Sequence, residues 1–209
     1  NDGPTFGTLN NPGDQEDTIG VGGLWLDGTI APFSSRGMTL APIANGGYGR
    51  VKPDILTKAQ HVVGPSLTSA CRVLSGTSVA SPVIAGAIAL LISTVPQKAR
   101  HAIINPASVK QLLHESAQHI SAASIFEQGA GEIELEGAYQ LLQKFEPHVS
   151  MYPSTISNSE SSCPYMWPWC RHPLYHTSQP LLFNLTVLNS VAVTSSVVDV
   201  EWTAADPNQ

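Results

Sequence analysis

One run of sequence constrains this chain more than any other: Leu74-Ser75-Gly76-Thr77-Ser78-Val79-Ala80-Ser81-Pro82, together with the apolar stretch that it opens. From Val79 to Val95 there are 17 residues without a charge, interrupted only by Ser81, Pro82, Ser93 and Thr94. That falls short of the ~20 apolar residues needed to cross a bilayer. A buried helix fits it better. Val79, Val83, Ile84, Ala87, Leu90 and Leu91 follow helical spacing, while Ala80, Ala85, Gly86 and Ala89 fill the other faces. A helix apolar all round is expected to be surrounded, with small residues admitting close neighbours.

The rest of the composition agrees with a chain built around such an element. Charged residues make up 12% of the 209 and hydrophobic residues 42%, and that charged share is about half the usual ~25%. Disorder needs the opposite balance. With 16 acidic against 10 basic side chains and no basic cluster, nucleic acid is excluded as a partner. The length allows one or two domains. The chain starts at Asn1 without Met and without a signal-peptide pattern, so it reads as a piece of a longer protein.

Short strands are expected at Thr18 to Val21 and Ile30 to Phe33, and loops from Lys52 to Gly76. Gln97 to Ile104 has a helical pattern. Further helices are expected over Pro106 to Gln118, with Lys110 and Glu115 off the apolar face, and over Gly131 to Phe145. Glu146-Pro147 ends the helical part, because proline disfavours the helical conformation of its predecessor. After His148 come a polar linker, a segment with two Trp, and valine-rich strand sequence. The boundary is placed near Pro147, giving one domain over 1–147 and the start of a β-rich domain over 148–209.

A tight Gly-containing turn before the apolar helix would deliver Ser78 to its N-terminus, where free backbone N–H groups and the helix dipole favour developing negative charge. Pro82 is tolerated if the helix starts about there, with Ser78 as its cap, since only one hydrogen bond is lost. On position alone Ser78 or Thr77 is simply a cap, because Ser and Thr are preferred caps everywhere. The neighbouring motifs decide otherwise.

Gly-Thr-Ser-x-Ala-x-Pro resembles the nucleophile motif of the subtilisin-like serine proteases. Asn1-Asp2-Gly3 resembles the segment carrying the Asn side chain that binds the oxyanion, and Phe33-Ser34-Ser35-Arg36-Gly37 and Lys52-Pro53-Asp54 resemble two motifs lying between them. Gly7 to Pro12, Leu74 to Val83, Phe126-Glu127-Gln128-Gly129 and Cys163 to Cys170 narrow the resemblance. They are similar to the membrane-anchored subtilisin/kexin-type branch of the early secretory pathway, which cleaves membrane-tethered transcription factor precursors.

The resemblance implies an α/β fold, a partial subtilisin-like parallel sheet with flanking and central helices, followed by the β-rich domain. It implies a serine endopeptidase acting on polypeptide substrates in the lumen between endoplasmic reticulum and Golgi, held by a membrane anchor outside this chain. Ser78 would attack the carbonyl, and the Asn1 amide with the Ser78 N–H would hold the O⁻. The catalytic Asp and His belong upstream of Asn1 in the family's order, so this chain alone is expected to be inactive. Asp27-Gly28-Thr29 only superficially resembles the Asp motif. His114 and His119 are expected at the surface of or near a helix, and His172 and His176 in the second domain. Calcium is common in the family, although no ligand cluster is visible.

Cys163 and Cys170 close an eight-residue loop, and a disulfide there would contribute ~2.5 kcal/mol. Three Cys without a Cys-x-x-Cys pair argue against zinc. Cys71 is left over, either free and buried or paired outside the chain. Asn184-Leu185-Thr186 is a glycosylation sequon. Trp167-Pro168-Trp169 is expected to pack the second domain onto the first. Two alternatives stand beside this reading. One is a non-catalytic relative that binds polypeptides without cutting them. The other is an α/β-hydrolase elbow at Gly76-x-Ser78, which needs an Asp and then a His after the Ser and finds no His after Asp199 or Asp206.

Overall fold

The computed structural model describes residues 1–15, 17–39, 49–121, 123–154, 184–191, 193, 194, 196–201 and 203. Two parallel strands, β1 (Val21–Leu24) and β4 (Ile55–Lys58), pair in register from Val21 opposite Ile55 to Leu24 opposite Lys58. The short strands β2 (Gly37–Met38) and β3 (Val51–Lys52) pair antiparallel. A hairpin of β5 (Val62–Pro65) and β6 (Cys71–Leu74) follows.

The first strand lies later than expected, sharing only Val21 with the segment read from sequence. Its Val-Gly-Gly-Leu sequence is weak strand language, yet the glycine is required. A Cβ at Gly23 would stand 2.6 Å from the Ala59 Cβ and 3.5 Å from the Thr77 methyl group. Ile30 to Phe33 is no strand: Ile30 makes one bridge to Leu24, and the chain then turns as the Ser34 N–H donates to the Ala31 carbonyl. The region from Lys52 to Gly76, expected as loops, holds β4 and the hairpin.

Helix α1 (Thr77–Thr94) packs on β1 and β4 and buries Ala80, Ile84 and Leu91. Ile84 joins Ile55 and Leu113 in one core cluster, while Leu91 joins Leu112, Ala138, Leu142 and Phe145 in another. Sequence leads to the expectation of a helix surrounded on all sides, and the described residues surround it only in part. Val83 is 39% and Leu90 56% exposed, and nothing lies within 4 Å of where a Gly86 Cβ would stand. The described residues cover one face only. With 18 residues and mean hydropathy 1.7, α1 is long and apolar enough to cross a membrane by length and composition, yet it contains Pro82 and lies against a parallel strand pair as a core helix does.

Helices α2 (Gln97–Ile103), α3 (Pro106–Ser116), α4 (Ile125–Gln128) and α5 (Leu135–Leu142) complete the helical part. Asn105 caps α3 by accepting from the Ser108 N–H, and the Ser108 hydroxyl reciprocates on the Asn105 N–H. The last helix is shorter than expected because its cap is Glu134, which accepts from the N–H groups of Glu136 and Gly137. Beyond it, β7 (Val149–Tyr152) pairs antiparallel with β8 (Thr186–Asn189) and lies on α3. Buried Gln111 donates to the carbonyls of His148 and Leu188, both at 3.1 Å, and to the Ser150 hydroxyl at 2.9 Å. Lys110, expected in solvent, is 7% exposed.

Candidate active site

The turn before α1 is set by Gly76, whose φ of 139° belongs to a region open in practice only to glycine. Its N–H donates to the Ala59 carbonyl at 2.8 Å, fixing the turn to the end of β4. Gly76 rather than Ser78 is the N-cap, so Ser78 is the second helical residue and exposed. The difference matters chemically. A cap spends its hydroxyl on the backbone, whereas Ser78 in the first turn keeps both its hydroxyl and its N–H without a partner among the described residues. Pro82 omits only the bond that its N–H would make to the Ser78 carbonyl.

Asn1 lies across the same turn. Its Oδ1 accepts from the Thr77 N–H at 2.8 Å and from the Thr77 hydroxyl at 2.7 Å. Two donors on one oxygen decide the amide's orientation, because a backbone N–H can only donate. Asn1 Nδ2 is thereby left as the free donor. The loop is held from behind: the Ser35 hydroxyl accepts from the Asp2 N–H at 3.2 Å, and the Phe33 carbonyl from the Gly3 N–H at 3.2 Å. Asn1, Thr77, Ser78 and Ser81 line one cleft of about 370 Å³ together with Gly20 and Pro53. An exposed hydroxyl, the helix's positive end and two free N–H donors in one cleft form a site suited to an oxygen that gains negative charge.

The other motifs meet one another. Arg36 pairs with Glu127 and donates to the carbonyls of Ser34 and Ala31, joining the Phe33–Gly37 and Phe126–Gly129 motifs. Lys52 and Asp54 form a buried pair at 2.5 Å, 1% and 8% exposed.

Residues 1–131 match the subtilase family, peptidase S8. The chain belongs to the subtilase family. Residues 152–209 of this subtilase match the third Ig-like domain of MBTPS1. Membrane-bound transcription factor site-1 protease of Mus musculus is 52% identical over 203 residues, 97% of this chain and 19% of that protein. The Homo sapiens protein of that name is 51% identical over 199 residues, 95% and 18%. Subtilisin-like protease SBT6.1 of Arabidopsis thaliana is 48% identical over 193 residues, 92% and 18%. The chain thus spans under a fifth of the length of these relatives. Among solved structures, the prenylagaramide maturation protease PagA has a TM-score of 0.53 at 26% identity, over 64% of this chain and 46% of that one. The Clostridium perfringens CspB protease has the same TM-score, 0.53, at 24% identity over 68% and 30%, a likeness of fold. The α/β subtilisin-like fold expected from the motifs is the fold observed.

None of the described histidines serves Ser78. His119 contacts the Gln128 amide at 3.1 Å, and His148 lies 3.0 Å from Glu115 and 2.9 Å from the Glu146 carbonyl. These two acceptors raise the His148 pKa above the usual value. Asp27 accepts from the Thr29 hydroxyl and N–H in an exposed turn, which lowers its pKa, so its role is local. Cys71, expected to be buried if free, is exposed on β6 with no disulfide partner among the described residues. Among the described residues no three of His, Cys, Asp and Glu converge to hold a metal ion. Cys163, Cys170, Trp167, Trp169, His172 and His176 lie outside the described residues. Asn184 is half-buried just ahead of β8.

His114 corrects the sequence reading most sharply. Its side chain is 8% exposed, packed at a 44° tilt against Tyr152 with ring centroids 4.4 Å apart, and lies 3.9 Å from Asp54. Neither ring nitrogen has a hydrogen-bond partner. Burial pushes its pKa down to about 4, against the opposing pull of Asp54. Below an unfolded pKa of about 6.5 the unfolded chain takes up a proton that the folded chain refuses. Stability is therefore full above pH 6.5 and falls as pH drops towards 4, by up to about 3 kcal/mol from this group. Urea unfolding midpoints between pH 7 and 4 should show this loss, and His114→Phe, which keeps the packing against Tyr152, should flatten it.

Thr77 offers a separate check on the amide's orientation. Thr77→Val removes the hydroxyl bond to Asn1 and leaves the backbone one. A loss of about tenfold in turnover is expected, the worth of one ordinary hydrogen bond, with Thr77→Ser restoring it. Steady-state kinetics of the three forms would show it.

Proposed function

We propose that the protein containing this chain is a serine endopeptidase that cleaves precursor proteins, with Ser78 as nucleophile. The observation that carries this reading is the Asn1 amide, whose oxygen is held by Thr77 so that Nδ2 is left free, with Asn1 and Ser78 lining one cleft. The Ser78 hydroxyl attacks the scissile carbonyl carbon, the C=O π pair moves onto oxygen, and the two N–H donors hold that O⁻. The hydroxyl proton passes to a His oriented by an Asp, both contributed by sequence ahead of Asn1 in the family's order, and then to the leaving amine. Water releases the acyl group by the same steps.

The finer reading is that the substrates are membrane-tethered transcription factor precursors, met by a membrane-anchored enzyme in the lumen between endoplasmic reticulum and Golgi. The names of the mammalian relatives support the membrane and the substrate class. A Cys163–Cys170 disulfide and a glycan on Asn184 would both belong to that compartment. Treatment of the full-length protein with a fluorophosphonate, followed by peptide mapping, tests the core of the reading. A covalent adduct on Ser78 is expected. No adduct on a folded full-length protein would leave the binding relative in its place.

A further inference from the structure

The Lys52–Asp54 pair is costly where it stands. Two charges taken out of water recover their desolvation only with excellent geometry, and apolar residues of similar size often do as well for stability. Lys110 Nζ and a His114 ring nitrogen lie 3.7 and 3.9 Å from Asp54 Oδ1, but the hydrogen bonds of the two charged groups outside the pair run to one segment. Asp54 Oδ2 accepts from Lys52 Nζ at 2.5 Å and from the Gly20 N–H at 2.6 Å. Lys52 Nζ donates to the Thr18 carbonyl at 2.8 Å, and the Asp54 N–H to the Gly20 carbonyl at 2.8 Å. Three hydrogen bonds thus join residues 52–54 to residues 18–20. Thr18, Ile19, Gly20 and Pro53 line the same cleft as Asn1 and Ser78.

We propose that Lys52 and Asp54 are positioning residues that clamp the substrate-facing wall of the cleft at residues 18–20, and so set how tightly a polypeptide is held against Ser78. The proposal rests on the peptidase reading of that cleft. The pair touches neither Ser78 nor Asn1, so it acts through the wall. A loop held only by its own turns would spread over several positions, and misplacement of a binding surface by about 1 Å can cost up to 10²-fold in rate. Charge-assisted bonds to a carbonyl and an N–H two residues apart fix the segment's position and its rotation together.

The test uses the full-length enzyme with Asp54→Asn and with the double variant Lys52→Met, Asp54→Leu, which removes both charges at similar volume. The expected result is a KM for a peptide substrate raised about tenfold, kcat changed much less, and labelling by a small alkyl fluorophosphonate within about twofold of the parent rate. An unchanged KM with a lowered melting temperature would mean a purely structural pair and overturn the proposal. So would failure of the double variant to fold, or loss of labelling in a variant that unfolds like the parent. A folded parent enzyme that is never labelled overturns the peptidase reading itself, and this proposal with it.

Discussion

Ser78→Ala in the full-length protein is expected to lower kcat by about 10⁶-fold, the scale of losing the nucleophile of a serine protease relay, with KM and melting temperature close to the parent values. The small effect on stability follows from exposure: Ser78 is a first-turn residue, its hydroxyl caps nothing, and Ala is the best helix former. Fluorophosphonate labelling should vanish in the same variant. Labelling that persists would move the nucleophile elsewhere and reject the assignment. Residual turnover of about 10³-fold over water would still be expected, because the oxyanion donors remain.

Asn1→Ala is expected to lower kcat by about 10²- to 10³-fold, or about 3 to 4 kcal/mol, with KM nearly constant. The donor is aimed at charge that exists only in the transition state, so ground-state binding should not register its loss. The variant also strips Thr77 of the acceptor for its N–H and hydroxyl. Both groups are at the exposed end of α1, where water replaces the lost acceptor, so the cost should fall on turnover rather than folding. Equal losses in kcat and in melting temperature would instead make Asn1 a structural tie.

Ser78 and Asn1 were legible from sequence as candidates because each stands in a short motif whose members act locally. Gly76 makes the turn, Thr77 orients the amide, and Ser78 follows at the helix start. The role of Thr77 was the part missed, although its place in Gly-Thr-Ser was in view. The parallel pairing of β1 with β4 was harder to read, since two glycines dilute the strand signal where Ala59 and Thr77 press close. His114 and Lys110 were misread for a different reason. Periodicity along α3 assigns one face to the core and the rest to water, but Lys110 lies 3.7 Å from Asp54, and His114 lies near both Asp54 and Tyr152 of β7. Nothing within the helix's own residues announces those neighbours.

The same division holds for the whole chain. Its sequence by itself determined the turn, the nucleophile candidate, the candidate oxyanion amide and the family, because these depend on residue types a few positions apart and on the backbone each can adopt. Tertiary structure decided which way the Asn1 amide faces, which face of α1 is covered, how residues 52–54 hold residues 18–20, and that His114 is buried. Those outcomes depend on groups many positions apart in sequence, whose burial and pairing exist only once separate elements have packed.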